Sequence, residues 1–120
     1  MKIIPQFLMA ILIAGSVQAQ SVRPNRELRL GKKVYEANCT SCHGVTGDGK
    51  GPAARAIAST KPRNFLEEDF RFGATPKEVL KTVSEGIPGS AMPPWKDALS
   101  LKEREAVIQY ILSLKKITRR

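Results

Sequence analysis

The run Cys39-Thr40-Ser41-Cys42-His43-Gly44, followed by Gly47-Asp48-Gly49-Lys50-Gly51-Pro52, decides how the rest of the chain is read. Two thiols on one short turn can each add to a vinyl group of a single haem, forming thioethers. The adjacent imidazole then reaches the iron from the same face, and its tether keeps it at high local concentration. Cys39-Thr40-Ser41-Cys42-His43 fits this C-x-x-C-H attachment signature. The glycine-rich stretch that follows forbids a stable helix and suits chain wrapped closely around something.

Three other uses of the same residues fit less well. A structural zinc site usually takes four Cys or His ligands, and this chain holds 2 Cys and 1 His. A thioredoxin-like redox pair sits near a strand–helix unit, and no strand pattern is visible. A plain disulfide, the first guess for two cysteines in an exported protein, leaves His43 and the glycine loop without a purpose.

An iron that transfers electrons needs a second axial ligand. Met92 lies far downstream in Ile87-Pro88-Gly89-Ser90-Ala91-Met92-Pro93-Pro94-Trp95, which three prolines and a glycine keep out of helix. Most methionines fill core space, but Met92 belongs to no helical stripe, so the spacing favours ligation. A thioether opposite histidine raises the reduction potential and closes the coordination sphere. The expected metal ligands are therefore His43 and Met92.

The chain begins Met1-Lys2, continues with an apolar run from Ile3 to Val17, and reaches Val17-Gln18-Ala19. This pattern predicts a signal peptide over residues 1–19, cleaved after Ala19. The run is shorter than the ~20 residues of a spanning helix, and Pro5 interrupts it. Residues 20–120 would then form one domain of 101 residues whose charge falls from +9 to +8 with the loss of Lys2. A domain this small buries a modest core of its own, which a large apolar cofactor would complete. The basic balance points to acidic partners. Nucleic acid is a poor candidate: the basic residues are scattered and aromatic residues are too few for a stacking platform.

Periodicity predicts an all-α fold of about four helices, and the attachment motif sets them around one covalently bound haem. The first runs from about Asn25 to Asn38, with Leu28, Gly31, Val34 and Tyr35 on its buried side. A short helix follows over Pro52–Ala58. Thr75-Pro76-Lys77-Glu78 is a capping box that starts a third helix burying Val79, Leu80 and Val83, with Gly86 as its stop. Ser100-Leu101-Lys102-Glu103 is a second box, launching a helix to about Lys116 with Leu101, Val107, Ile108, Ile111 and Leu114 on its apolar side. Lys115 and Lys116 suit the negative end of its dipole.

Taken together, these pieces resemble class I cytochrome c, most closely the small bacterial branch related to haem subunits of cbb3-type oxidases. The matching segments are Gly31 to Tyr35, Cys39 to Gly44, Gly47 to Pro52, Gly86 to Trp95 and the final helix with Tyr110. The resemblance implies that the first and last helices cross, with Gly31 permitting close approach and Tyr35 packing near Val107 and Tyr110. It also implies that the Pro52 carbonyl accepts the second ring N–H of His43, and that Trp95 and Arg63 bind the haem propionates. Residues 61–74 depart from the family pattern. Phe65, Phe70 and Phe72 there either cover a haem face or form a partner surface.

The function these readings imply is a periplasmic, monomeric, single-haem carrier that passes electrons between redox proteins and is not itself an enzyme. Lys32, Lys33, Lys50, Lys81 and Lys96 are candidates for a basic rim that meets acidic docking surfaces. Two rivals differ in class. One is a cytochrome subunit docked to a dehydrogenase or oxidase. The other is a haem sensor, which needs an open or labile sixth position that Met92 argues against.

Overall fold

The computed structural model describes residues 24–118, so the expected signal peptide lies outside the described residues. Helix α1 spans Pro24–Asn38, α2 Thr40–His43, α3 Pro76–Glu85 and α4 Leu101–Thr118, with a 3₁₀ turn at Pro52–Ala56. No strand occurs among the described residues. The all-α expectation holds with one exchange. The Pro52 segment is a single tight turn, and the extra α-helical turn is the haem-attachment motif itself.

Local chemistry fixes where the longer helices start. At α3, Thr75 Oγ1 accepts from the Glu78 N–H (3.3 Å), and the Glu78 carboxylate accepts from the Thr75 N–H (3.0 Å) and hydroxyl (2.7 Å). At α4, the Ser100 hydroxyl oxygen accepts from the Glu103 N–H (3.2 Å), and Glu103 accepts from the Ser100 N–H (2.8 Å). Each box satisfies amides that the first helical turn leaves without partners. These bonds hold the carboxyl of Glu78, chiefly through the Thr75 side chain, below the usual carboxylate range. The Ser100 backbone, then its side chain, does the same for Glu103.

The core is a cluster in which α1 supplies Val34 and Tyr35, α3 supplies Val79 and Val83, and α4 supplies Val107, Ile108 and Ile111. Helices α1 and α4 form its main interface, and Gly31 sets how closely they approach. A Cβ on Gly31 would stand 2.1 Å from the Ala106 carbonyl oxygen, a distance no side chain can keep. Tyr35 is fully buried. Its ring meets that of Tyr110 at 5.3 Å, tilted by 58°, and its hydroxyl donates to the Gly44 carbonyl at 2.8 Å. Burial, followed by the charge of Cys39, pushes its pKa upward, so the phenol stays protonated as that donor.

Some predicted core positions lie further out. Leu28, Leu80 and Leu114 are half-buried, and Leu101 is 53% exposed. Leu101 shares a helical face with Ile108, seven residues on. The α1 crossing, however, lies near Ala106 and Tyr110, and the apolar stripe outruns it. Phe65 joins the core cluster from outside any helix. That places the 61–74 segment against the functional site.

Candidate haem site

The motif forms one helical turn. The His43 and Gly44 amides donate to the Cys39 and Thr40 carbonyls, each at 2.9 Å. Positions i, i+3 and i+4 of a turn share a face, so Cys39, Cys42 and His43 come together. Both cysteines are unbridged and partly exposed. Burial, with Cys42 beside it, pushes the Cys39 thiol up to about 11. Reactive pairs of the thioredoxin kind have depressed thiols, so this direction argues against that use. The glycine loop folds back over the turn: the Gly49 amide donates to the His43 carbonyl (2.8 Å) and the Gly51 amide to the Cys42 carbonyl (3.1 Å).

His43 is held on two sides. Its ring lies on that of Phe65, with centroids 4.5 Å apart and planes 19° apart. Its Nδ1 stands 3.2 Å from the Arg63 carbonyl oxygen. A carbonyl can only accept, so a bond there requires the proton on Nδ1 and leaves the Nε2 lone pair for a ligand. Burial lowers the imidazole pKa, opposed by the bond to Arg63. The ring is thus favoured in the neutral form that binds metals.

The resemblance assigned this ring nitrogen to the Pro52 carbonyl. The carbonyl that faces His43 belongs to Arg63, in the divergent segment, and Pro52 instead opens the 3₁₀ turn as its first residue. The physical reason is the path of the chain. Phe65 donates its amide to the Gly47 carbonyl (2.7 Å), which draws residues 63–65 against the motif.

Across the site, the methionine loop is pinned by its own backbone. Ile87 N–H donates to the Met92 carbonyl (3.1 Å), and Trp95 N–H donates to the Val83 carbonyl at the end of α3 (3.1 Å). Ser90 donates its hydroxyl to the Ile87 carbonyl (2.7 Å) and accepts from the Met92 N–H (3.2 Å). Proline rigidity and these bonds together fix where Met92 stands.

All of these side chains open onto one cleft of about 1240 Å³, counting the space at its mouth. Its walls include Cys39, Cys42, His43, Phe65, Met92 and Trp95. The cations that line it are Lys61, Arg63 and Arg71, whereas the lysines suggested for a rim are all exposed positions outside the lining. Arg63 also forms an ion pair with Glu68 (3.4 Å). Phe72, 54% exposed, lines the cleft as well. Two thiols, a neutral imidazole with a free lone pair and a thioether therefore converge on an apolar cleft with cations in its walls. That donor set fits a haem with anionic propionates. Among the described residues no cluster of three or more His, Cys, Asp or Glu could hold a metal ion.

The cytochrome c family matches residues 28–115, which include both cysteines, His43 and Met92. The chain belongs to the cytochrome c family. Cytochrome c-554(547) of Halothiobacillus neapolitanus is 35% identical over 88 residues, covering 71% of this chain and 93% of that protein. The cbb3-type cytochrome c oxidase subunit FixP of Bradyrhizobium diazoefficiens is 26% identical over 107 residues, 87% of this chain and 34% of that one. The chain thus spans about a third of such oxidase subunits. Among solved structures, a reducing HAO-like protein complex of Kuenenia stuttgartiensis matches with a TM-score of 0.71 at 35% identity, covering 78% of this chain and 46% of that one. As a member of that family, the chain carries covalently bound haem c.

The structure brings the expected Cys39, Cys42, His43, Met92 and Trp95 to one cleft. Sequence reasoning missed the stacked Phe65 and the Arg63 carbonyl as partners of the imidazole. The available signal was the aromatic run of 61–74, which shows no helical period to place it.

Proposed function

We propose that this cytochrome is a periplasmic single-haem electron carrier, in which Cys39 and Cys42 would anchor the haem through thioethers and His43 and Met92 would hold its iron. The observation that carries this reading is the arrangement of His43. A carbonyl at Nδ1 leaves Nε2 free, and the ring opens onto the same cleft as Met92. The haem supplies one-electron chemistry at its iron. The protein's part is to hold both ligands still, exclude water and tune the potential. The Arg63 carbonyl makes the imidazole a stronger donor, the Met92 thioether favours ferrous iron, and apolar walls limit solvent access. Trp95 and Arg63 are assigned to the propionates, and the net positive charge to docking on acidic partners.

No helix among the described residues is long and apolar enough to cross a membrane, which is compatible with release into the periplasm after loss of residues 1–19. A second reading, a cytochrome held as a subunit of a larger redox complex, is favoured by the oxidase subunits and the HAO-like complex among the similar proteins. Purification from native membranes and periplasm separates the two: a free carrier elutes alone, a subunit with its complex.

The experiment that tests the ligand assignment uses Met92→Ala and Met92→His holoproteins. The wild-type ferric protein is expected to show the weak near-infrared sulfur-to-iron band. Met92→Ala abolishes it, lowers the potential and lets carbon monoxide bind ferrous iron. Met92→His stays six-coordinate at a lowered potential. A wild type that lacks the band or binds carbon monoxide quickly overturns the assignment.

A further inference from the structure

Lys115 sits in the last turn of α4, where a lysine ordinarily extends into water near the helix's negative end. Here its side chain is folded back and only 12% exposed. The ammonium donates to the Glu68 carbonyl at 2.9 Å and to Asp69 Oδ1 at 2.7 Å. It also stands 5.3 Å from the centre of the Phe70 ring. Asp69 is 90% exposed, so solvent screens the ion pair and leaves it weak. The backbone carbonyl and the aromatic face are what tie α4 to residues 68–70.

Those residues are linked to the imidazole's partners. Phe70 stacks on Phe65 at 5.7 Å, and Phe65 stacks on His43. The turn between them is closed on itself: Glu68 N–H donates to the Asn64 carbonyl (3.0 Å), and Asn64 N–H donates to the Glu68 carboxylate (2.8 Å). Residues 63–70 therefore form one unit that offers His43 a carbonyl on its edge and a ring on its face. Lys115 holds the far end of that unit.

We propose that Lys115 is a positioning residue for His43, clamping the 63–70 turn so that Phe65 and the Arg63 carbonyl fix the orientation and donor strength of the imidazole. This rests on His43 being an iron ligand. The clamp and a simple charge effect have opposite signs. Loosening the bond from Nδ1–H to Arg63 weakens imidazole donation to ferric iron and raises the potential. Removing a positive charge, by itself, favours ferric iron and lowers it.

The test compares wild type, Lys115→Met, Lys115→Arg and the charge-balanced pair Lys115→Met with Asp69→Asn, all as holoproteins. In the reduced state the His43 Nδ1–H proton is followed by NMR, shifted by the haem ring current, while the potential is measured separately. The expected result is exchange of that proton roughly tenfold faster in Lys115→Met, a raised potential in the charge-balanced pair, and recovery of both in Lys115→Arg. If Lys115→Met does not accumulate as holoprotein, Lys115→Leu, which likewise loses both the donor and the cation, is read in the same way. Unchanged exchange and a potential that only falls overturn the clamp while leaving His43 a ligand. A wild type without a haem-shifted His43 resonance overturns both.

Discussion

The His43 ring lies almost parallel to that of Phe65, 4.5 Å away, so a residue outside the haem-attachment motif and the methionine loop forms one wall of the imidazole's seat. Phe65 is also a core residue, packed with Val79, Val107 and Ile111. Phe65→Ala should therefore cost about 3–5 kcal/mol, the range for emptying a buried aromatic site. Phe65→Leu keeps most of the volume and should cost under about 1.5 kcal/mol. Urea unfolding of the holoproteins checks both. A midpoint shift of similar size in the two variants would mean that the lost stack, and not the cavity, dominates.

Gly31→Ala sets two effects against each other. Helix propensity alone makes alanine better by about 1 kcal/mol in a helix interior. The new Cβ would meet the Ala106 carbonyl oxygen at 2.1 Å and Tyr110 Cβ at 3.0 Å, and a backbone atom cannot swing aside. Overpacking of this kind costs about 1–3 kcal/mol or more, so the steric effect should win. The thermal midpoint is expected to fall. A rise would show that α1 and α4 can separate freely.

The two capping boxes make stability depend on acid pH. Glu78 and Glu103 have carboxyls held below their ordinary value of 4.5 in the folded state. A depressed folded pKa contributes stability above the unfolded pKa and loses it as pH falls through the folded one. Wild-type stability should accordingly decline below pH 4.5 more steeply than that of Glu78→Gln with Glu103→Gln. Thr75→Ala and Ser100→Ala should each cost about 1 kcal/mol at neutral pH. Denaturant midpoints measured across pH, with the haem attached throughout, check both statements.

What could be read in advance was what local chemistry decides. Thr75 and Ser100 announce helix starts because a hydroxyl and a carboxylate three residues apart need no tertiary partner. Cys39, Cys42 and His43 announce the cofactor for the same reason. The partner of His43 Nδ1 was not legible: a backbone carbonyl carries no residue signature, and which carbonyl arrives depends on the route of residues 61–74. Leu101 was misplaced because a helical period tells which face is apolar and not how far along the helix the partner reaches. Lys115 looked like an ordinary helix-end cation, since its target lies 46 and 47 residues away in sequence.

Gly86 and Gly89 offer a paired test of how the methionine loop is held. Both have positive φ, +69° and +76°, so an alanine at either is strained, and Gly86, with ψ −171°, lies in the extended positive-φ region that is essentially confined to glycine. They differ in their surroundings. A Cβ on Gly86 would meet Pro93 C and Pro94 N at 2.7 Å and the Met92 carbonyl oxygen at 2.8 Å, while one on Gly89 meets nothing within 4 Å. Gly89→Ala should therefore lower stability by the strain alone and leave the ferric near-infrared band intact. Gly86→Ala should add a displacement of residues 92–94, weaken the band and open ferrous iron to carbon monoxide. Both variants carry positive-φ strain, so the near-infrared band, rather than stability, is the readout that separates them. Equal loss of the band in both would locate the control of Met92 in loop flexibility. Loss in Gly86→Ala alone would locate it in the contact between the end of α3 and the proline-flanked methionine.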